Sequence, residues 1–186
     1  MLFAERYRTE LFKALETVDA AQVAQAIEWL AEARGQNRRI FVCGNGGSAS
    51  TASHFATDLV KGASFGRASR FRIMALTDSL PTITAYSNDV SYDCIFAEQL
   101  RNFAEPGDVL IAISSSGNSP NVLCAVEYAN SIGCRTIALS GRDGGSLGRM
   151  CHLNIQVAHQ HTGRIEDAHL MVLHMIGYYF MEQERQ

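Results

Sequence analysis

The sequence lacks the features of a membrane-bound or secreted chain. No stretch reaches the roughly 18 uninterrupted apolar residues of a spanning helix. Residues 1–18 are charged every few positions and contain neither the apolar core nor the cleavage site of a signal peptide. No lipidation motif occurs at either end. We therefore expect a cytoplasmic protein without a membrane partner.

The chain also lacks the charge pattern of a nucleic-acid-binding protein and the cysteine pattern of a redox protein. Its 16 basic and 19 acidic residues give a formal net charge of -3, and the basic residues are scattered rather than striped. We expect no direct nucleic acid partner. The cysteines form no Cys-x-x-Cys pair, which favours reduced thiols in the core. They are Cys43, Cys94, Cys124, Cys134 and Cys151.

The length and the hydrophobic content predict one domain over residues 1–186. At 47% hydrophobic side chains, 186 residues can bury one sizeable core but are short for two. In residues 1–36, apolar residues recur every three to four positions, which predicts two amphipathic helices that form an N-terminal arm. In residues 37–186 the pattern changes to short apolar runs between glycine or polar turns, which predicts an α/β core.

Strand-like and helical segments alternate through this core. The predicted strands are 39–43, 71–77, 108–114, 135–140 and 152–157, and the predicted helices are 50–61, 91–103, 120–132, 144–150 and 164–181. This alternation indicates a five-stranded parallel sheet covered by helices on both faces. Such sheets bind ligands beyond the carboxyl ends of their strands, so we expect the functional residues in those loops.

Two loops at that edge suit a phosphate group. Residues 44–48 read Gly-Asn-Gly-Gly-Ser after the first strand, and residues 114–119 read Ser-Ser-Ser-Gly-Asn-Ser after the third. Glycine backbone N–H groups, hydroxyls and helix N-termini bind anions without lysine. Either loop alone is equally compatible with an ordinary strand-to-helix turn, but the two together favour phosphate. Because both nucleotide motifs, Gly-Lys-Ser/Thr and Gly-x-Gly-x-x-Gly, are absent, we expect a compact phosphomonoester.

A second group of residues could bind metal or transfer protons. His54 and Asp58 are four residues apart, on one face of a predicted helix, and the last helix carries Glu166, His169 and His174. Imidazole and carboxylate ligands suit zinc. Spacing alone, however, is more often that of a solvated or interface helix. His169 is compatible with a supporting position behind the site or with a plain surface histidine.

Taken together, these motifs resemble the SIS (sugar isomerase) family, and within it the phosphoheptose isomerases. The resemblance extends over nearly the whole chain and includes Asn88-Asp89 and the Gly-Arg-Asp-Gly-Gly turn at 141–145. It implies a three-layer, flavodoxin-like SIS fold and a homotetramer with active sites at subunit interfaces. It also implies that a sugar phosphate is bound by Asn45, Gly46, Gly47, Ser48, Asp89, Ser114, Ser115, Ser116 and Ser119.

The resemblance further implies zinc bound by His54, Asp58, Glu166 and His174, with proton transfer by Asp58, His174 and Glu166. The implied reaction converts sedoheptulose 7-phosphate to D-glycero-D-manno-heptose 7-phosphate through an enediol, for nucleotide-activated heptose synthesis. The chain departs from the family pattern at three positions. Asp58 and Glu166 stand where glutamate and glutamine are usual, and Gly163 where aspartate is expected. The alternatives are an isomerase of another sugar phosphate, a non-enzymatic sugar-phosphate regulator, and an adaptor that binds a replication initiator.

Overall fold

The computed structural model describes residues 2–182, which begin with two helices. These are α1 (Phe3–Glu16) and α2 (Ala20–Gly35). The Asp19 carboxylate caps α2 by accepting a hydrogen bond from a backbone N–H of its first turn. Ala14 of α1 is buried in a small apolar cluster with residues of the last helix, Ile165 among them. The predicted pair of N-terminal helices is confirmed.

Five parallel strands form a single sheet in the order β2-β1-β3-β4-β5. They are β1 (Arg39–Gly44), β2 (Arg72–Ala75), β3 (Val109–Ser114), β4 (Arg135–Gly141) and β5 (Leu153–Val157). The central strands β1, β3 and β4 are buried almost throughout, which is why they appear in the sequence as continuous apolar runs. From β1 the chain adds β2 on one side and then β3, β4 and β5 on the other. The point between β1 and β3 is therefore the topological switch point, where open α/β sheets bind their ligands.

Within residues 2–182, six further α-helices cover the two faces of the sheet, which gives the expected three-layer α/β architecture. They are α3 (Gly47–Thr57), α4 (Leu80–Asp89), α5 (Ile95–Phe103), α6 (Pro120–Ser131), α7 (Gly145–Met150) and α8 (Thr162–Glu182). On one face, Ile40 of β1 packs in a core with α2, α3 and α8. On the other, Phe41 packs with α5 and α6. No described helix is both long enough and apolar enough to cross a membrane.

Three local predictions need correction. The helix predicted at 50–61 begins earlier, at Gly47, and continues from α3 into a five-residue π-helical turn, Asp58–Gly62. The helix predicted at 91–103 opens with a 3-10 turn, Tyr92–Cys94, before α5. Helix α4 was not predicted, because it buries none of its residues and therefore has no apolar stripe to mark it.

The cysteines are all free thiols, as expected, but they are not all in the core. Cys43 and Cys134 are buried, while Cys94, Cys124 and Cys151 are partly exposed. Burial raises the pKa of the Cys134 thiol to about 11 and that of Cys151 to about 12. These thiols are protonated near neutral pH, which favours a packing role over a nucleophilic one.

Candidate active site

The first loop depends on glycine for both its turn and its packing. A Cβ on Gly44 would stand 2.8 Å from the Ser48 Cβ and 3.0 Å from the Ile113 carbonyl oxygen, so only glycine allows β1 to pass so close to α3 and β3. Gly46 has a φ of 55°, in the left-handed region that glycine adopts without strain. As a result, the buried Ser48 lies in the first turn of α3, at the carboxyl edge of the sheet.

The second loop brings three hydroxyl groups together. Ser114 Oγ lies 3.3 Å from Ser116 Oγ and 3.1 Å from Ser119 Oγ. It also accepts a hydrogen bond of 3.2 Å from the Gly117 N–H. Ser115 lies in the same loop, and its carbonyl oxygen packs against Gly141 at the end of β4. This cluster of hydroxyls directly precedes α6, where the positive end of a helix dipole favours an anion.

A reciprocal pair of side-chain amides joins the two loops. Asn45 Nδ2 donates to Asn121 Oδ1, and Asn121 Nδ2 donates to Asn45 Oδ1, each at 2.8 Å. The Tyr92 hydroxyl donates to the same Asn45 oxygen at 2.9 Å. No role was predicted for Asn121 or Tyr92 from the sequence. Asn121 lies at the start of the helix after the serine loop. In the sequence, only this position indicates that it could join the two loops.

The glycine turn at 141–145 supports the serine loop. The Leu147 N–H donates to the Gly117 carbonyl at 2.9 Å. A Cβ on Gly117 would stand 3.0 Å from the Gly145 Cα, and both residues have positive φ angles, 66° and 58°. The two segments can touch only because both positions are glycine. The glycine turn therefore packs against the serine loop and helps to fix the position of its hydroxyl groups.

Asp89 is the last residue of α4 and is exposed. Its carboxylate accepts a hydrogen bond of 2.7 Å from the side chain of Asn88. Within residues 2–182, no hydrogen bond joins Asp89 to either loop. Its role in substrate binding stays a prediction.

Helices α3 and α8 lie side by side and bring His54, Asp58 and His174 together. The Nε2 atoms of His54 and His174 are 2.9 Å apart. Asp58 Oδ2 lies 3.4 Å from the His54 Nε2 and 3.8 Å from the His174 Nε2. Both histidines are partly open to solvent, with side chains 50% and 38% exposed, so a ligand can reach them.

The donor atoms of this cluster fit a metal ion. One ligand atom from each of the three residues lies within 4.8 Å of the others, and Asp58 Oδ2 is buried without a hydrogen-bond partner. A buried polar atom without a partner is costly, and a cation held between the carboxylate and the two imidazoles would remove that cost. Two nitrogens and one oxygen are a ligand set that suits zinc.

Glu166 lies at the first loop rather than in this cluster. Its carboxylate packs so closely against Gly47 that a Cβ there would stand 2.8 Å from the Glu166 Cδ. Burial raises the pKa of the Glu166 carboxyl, and the neighbouring Asp167 raises it further. The three-residue group that could hold a metal does not include Glu166. Its assignment as a ligand and as a proton-transfer group stays a prediction.

His169 is a buried, neutral residue, so its interpretation as a surface histidine was wrong. It is 1% exposed, and its Nε2 donates to the Ser140 carbonyl at 3.0 Å. Burial lowers its pKa to about 4. His169 thus fastens α8 to the carboxyl end of β4, behind the loops. On the loop before α8, by contrast, His161 is exposed and His159 is partly buried.

Comparison with known proteins identifies the family of this chain. The SIS domain family matches residues 5–141, so the chain is a SIS-domain protein. A phosphoheptose isomerase from Aromatoleum aromaticum is 41% identical over 177 residues, covering 94% of this chain and 88% of the relative. Another, from Trichlorobacter lovleyi, is 39% identical over 173 residues, with coverages of 89% and 84%. The chain belongs to the phosphoheptose isomerase family.

Solved structures of the same family have the same fold. A phosphoheptose isomerase from Neisseria gonorrhoeae superimposes with a TM-score of 0.83 at 35% identity, covering 96% of this chain and 94% of that one. One from Francisella tularensis gives a TM-score of 0.89 at 28% identity, with coverages of 97% and 96%. The similarity therefore includes the N-terminal helices as well as the α/β core.

Proposed function

We propose that this chain converts sedoheptulose 7-phosphate to D-glycero-D-manno-heptose 7-phosphate. The observation that carries the proposal is the His54, Asp58 and His174 cluster on the two helices that meet the phosphate loop. Gly47 and His54 are seven residues apart on α3, a rise of about 10 Å. In this substrate the phosphate is on C7 and the reaction occurs at C1 and C2, so the two ends need separate subsites.

The phosphate end of the substrate is assigned to the two loops. Hydroxyls of Ser114, Ser116 and Ser119 converge there, Ser48 lies in the first turn of α3, and the N-termini of α3 and α6 add positive potential. Binding the phosphate far from the reacting carbons provides energy that positions those carbons. A free sugar would lack this anchor, so we expect the phosphorylated form to be the substrate.

At the other end, Asp58 and His174 are the groups proposed to move protons. C1 of the ketose loses a proton to a base and a cis-enediolate forms. An acid returns a proton to C2 while a proton moves from the C1 oxygen to the C2 oxygen. The sum leaves atoms and electrons unchanged and needs no oxidant. His54, whose Nε2 contacts that of His174, would fix the His174 ring, and Glu166 is the further candidate for proton transfer.

A zinc ion is the proposed cofactor, with His54, Asp58 and His174 as ligands and Glu166 as the fourth ligand that the family resemblance implies. When bound, zinc would polarise the two sugar oxygens and stabilise the negative charge of the enediolate. Asp58 is one methylene shorter than the glutamate usual in the family. It nevertheless reaches both histidine rings, because its Oδ2 lies within 4 Å of each Nε2.

We further propose a cytoplasmic homotetramer made of a single SIS domain, with the arm at residues 1–36 in the subunit contacts. Large apolar side chains exposed on α1 and α8 support this assembly. They include Phe3, Phe12, Met171, Met175, Tyr178 and Tyr179. In the cell, the product would supply nucleotide-activated heptose.

The test is to incubate zinc-loaded protein with sedoheptulose 7-phosphate and follow aldose formation by NMR. We expect conversion by the wild type and a loss of about 10²- to 10⁴-fold in His174→Ala, the range for removal of an acid-base group. His152→Asn is the matched control. His152 accepts a hydrogen bond from the Thr136 backbone beside the first residues of β4 and β5, at the opposite edge of the sheet.

Three outcomes would contradict the proposal in different ways. Full activity of His174→Ala would remove His174 from the chemistry. Conversion of only a different ketose phosphate would keep the reaction and change the sugar. Tight binding of sugar phosphates without any conversion would favour the non-enzymatic regulator.

A further inference from the structure

A tyrosine from the N-terminal arm packs against the first turn of α8. The Tyr7 hydroxyl donates to Asp167 Oδ2 at 2.7 Å. The Arg164 guanidinium lies over its ring, 5.1 Å from the centroid, and the His161 ring meets it edge-on at 5.9 Å. Two residues of α8 and His161, on the loop before it, thus fix the position of this tyrosine.

The Tyr7 hydroxyl lies where a side chain at position 163 would begin. A Cβ on Gly163 would stand 3.2 Å from the Tyr7 Oη and 3.3 Å from the His161 Cε1, both closer than ordinary van der Waals contact. The φ angle of Gly163 is not in the left-handed region, so the backbone itself does not require glycine there. The Tyr7 hydroxyl can therefore take this position because residue 163 has no side chain.

This position lies about one helical turn from a residue that packs against the first loop. Gly163 and Glu166 are three residues apart on α8, so they share one helix face, with their β positions about 5–6 Å apart. Glu166 packs against Gly47 of the phosphate loop. The charge of Glu166 also reaches the tyrosine, since it is one of the causes that raise the Tyr7 pKa, after the hydrogen bond to Asp167 and burial.

We propose that Tyr7 is a specificity-determining residue of the sugar-binding site. Its hydroxyl occupies the space left by the missing side chain at Gly163 and hydrogen-bonds a sugar hydroxyl. The Tyr7 Oη already donates its proton to Asp167, and its lone pairs can still accept a hydrogen bond from the sugar. The inference rests on the proposed function, because the contact needs a sugar phosphate anchored at the loops.

The first test compares the wild type with Tyr7→Phe, using turnover of sedoheptulose 7-phosphate and calorimetric binding of the same sugar. Loss of one neutral hydrogen bond predicts a KM and a Kd about three- to tenfold higher, with kcat within about twofold. Binding of inorganic phosphate, which reaches only the loops, should not change. Tyr128→Phe on α6 is the matched control, and its Kd should equal that of the wild type.

A second variant pair tests the match between the two positions. Gly163→Ala should raise KM in the wild-type background, because the new methyl group displaces the Tyr7 hydroxyl. In the Tyr7→Phe background the same change should add little, since the hydroxyl is already gone. Equal effects of Gly163→Ala in both backgrounds would overturn the inference, as would a Tyr7→Phe variant that loses thermal stability but keeps the wild-type KM and Kd.

Failure of this inference and failure of the proposed function give different results. If the wild type turns over sedoheptulose 7-phosphate and Tyr7→Phe matches it, only the inference is overturned. If the wild type binds the sugar without turning it over, the isomerase proposal fails and the Kd values alone decide the role of Tyr7. If the wild type neither binds nor converts the sugar, both are overturned.

Discussion

Replacing Asp58 by asparagine should remove most of the stabilisation that the proposed zinc ion would give the folded protein. Asp58 supplies the carboxylate of the cluster, and its Oδ2 lies 3.4 and 3.8 Å from the two histidine nitrogens. Zinc at about 100 times its Kd stabilises a one-site protein by about 2.7 kcal/mol. In a chain of this length that corresponds to a rise in Tm of about 5–11 °C. Changes in outer-shell groups alone weaken metal binding up to about 100-fold. A loss of that size for Asp58→Asn would reduce the gain to about 0.4 kcal/mol, or about 1 °C.

The assay is thermal unfolding of metal-free protein with increasing zinc, read by fluorescence or calorimetry. Asp93→Asn is the matched control, because Asp93 is an exposed aspartate on the 3-10 turn before α5. Without zinc, Asp58→Asn should be as stable as the wild type or more stable, since it replaces a buried carboxylate oxygen that has no hydrogen-bond partner. An equal zinc-induced rise in Tm for Asp58→Asn and the wild type would refute the assignment of Asp58 as a ligand.

Two further predictions concern the support of the site. The pKa of His169 is about 4 in the folded protein against 6.5 normally, so the unfolded chain takes up a proton first as the pH falls. The contribution of His169 to the free energy of unfolding should decrease by roughly 2–3 kcal/mol between pH 7 and 4.5. In urea unfolding, the difference in unfolding free energy between the wild type and His169→Gln should therefore become smaller over this range. A difference that stays constant would contradict this. Gly117→Ala should cost about 1–3 kcal/mol and weaken phosphate binding, because the residue has a φ of 66° and a Cβ would crowd Gly145. Gly35→Ala, with nothing within 4 Å of the added methyl, should gain up to about 1 kcal/mol, and equal unfolding free energies for the two variants would contradict this reasoning.

The fold could be predicted because its signals are local. Each central strand is a continuous apolar run, as in β3 at Val109–Ser114, since both of its faces are covered. Helix α4 at Leu80–Asp89 gave no such signal, because it rests on the surface without burying a residue. The π-helical turn at Asp58–Gly62 also could not be predicted, since it differs from an α-helix only in its hydrogen-bond spacing.

The residues of the candidate site could be proposed from the sequence, but their contacts could not. The pair His54 and Asp58 follows from helix periodicity, yet the approach of His174 depends on how α8 packs beside α3, 120 residues further along the chain. The hydrogen bonds between Asn45 and Asn121 likewise depend on the strand order, which no local pattern encodes. The family resemblance led to the expectation of Glu166 among the metal ligands; its carboxylate packs at Gly47, outside the three-residue group, and its place among the ligands stays a prediction.

The loops at 44–48 and 114–119 contain no lysine or arginine, and uncharged amides join them. None of these groups changes charge between pH 5 and 9, so the pH dependence of anchoring comes from the ligand, whose phosphate gains its second charge near pH 6, and from the Glu166 carboxylate beside Gly47. The affinity of a phosphate site without lysine or arginine also depends less on salt than that of a cationic site. The fraction of sites occupied should then depend on the concentration of the sugar phosphate and change little over a wide range of ionic strength.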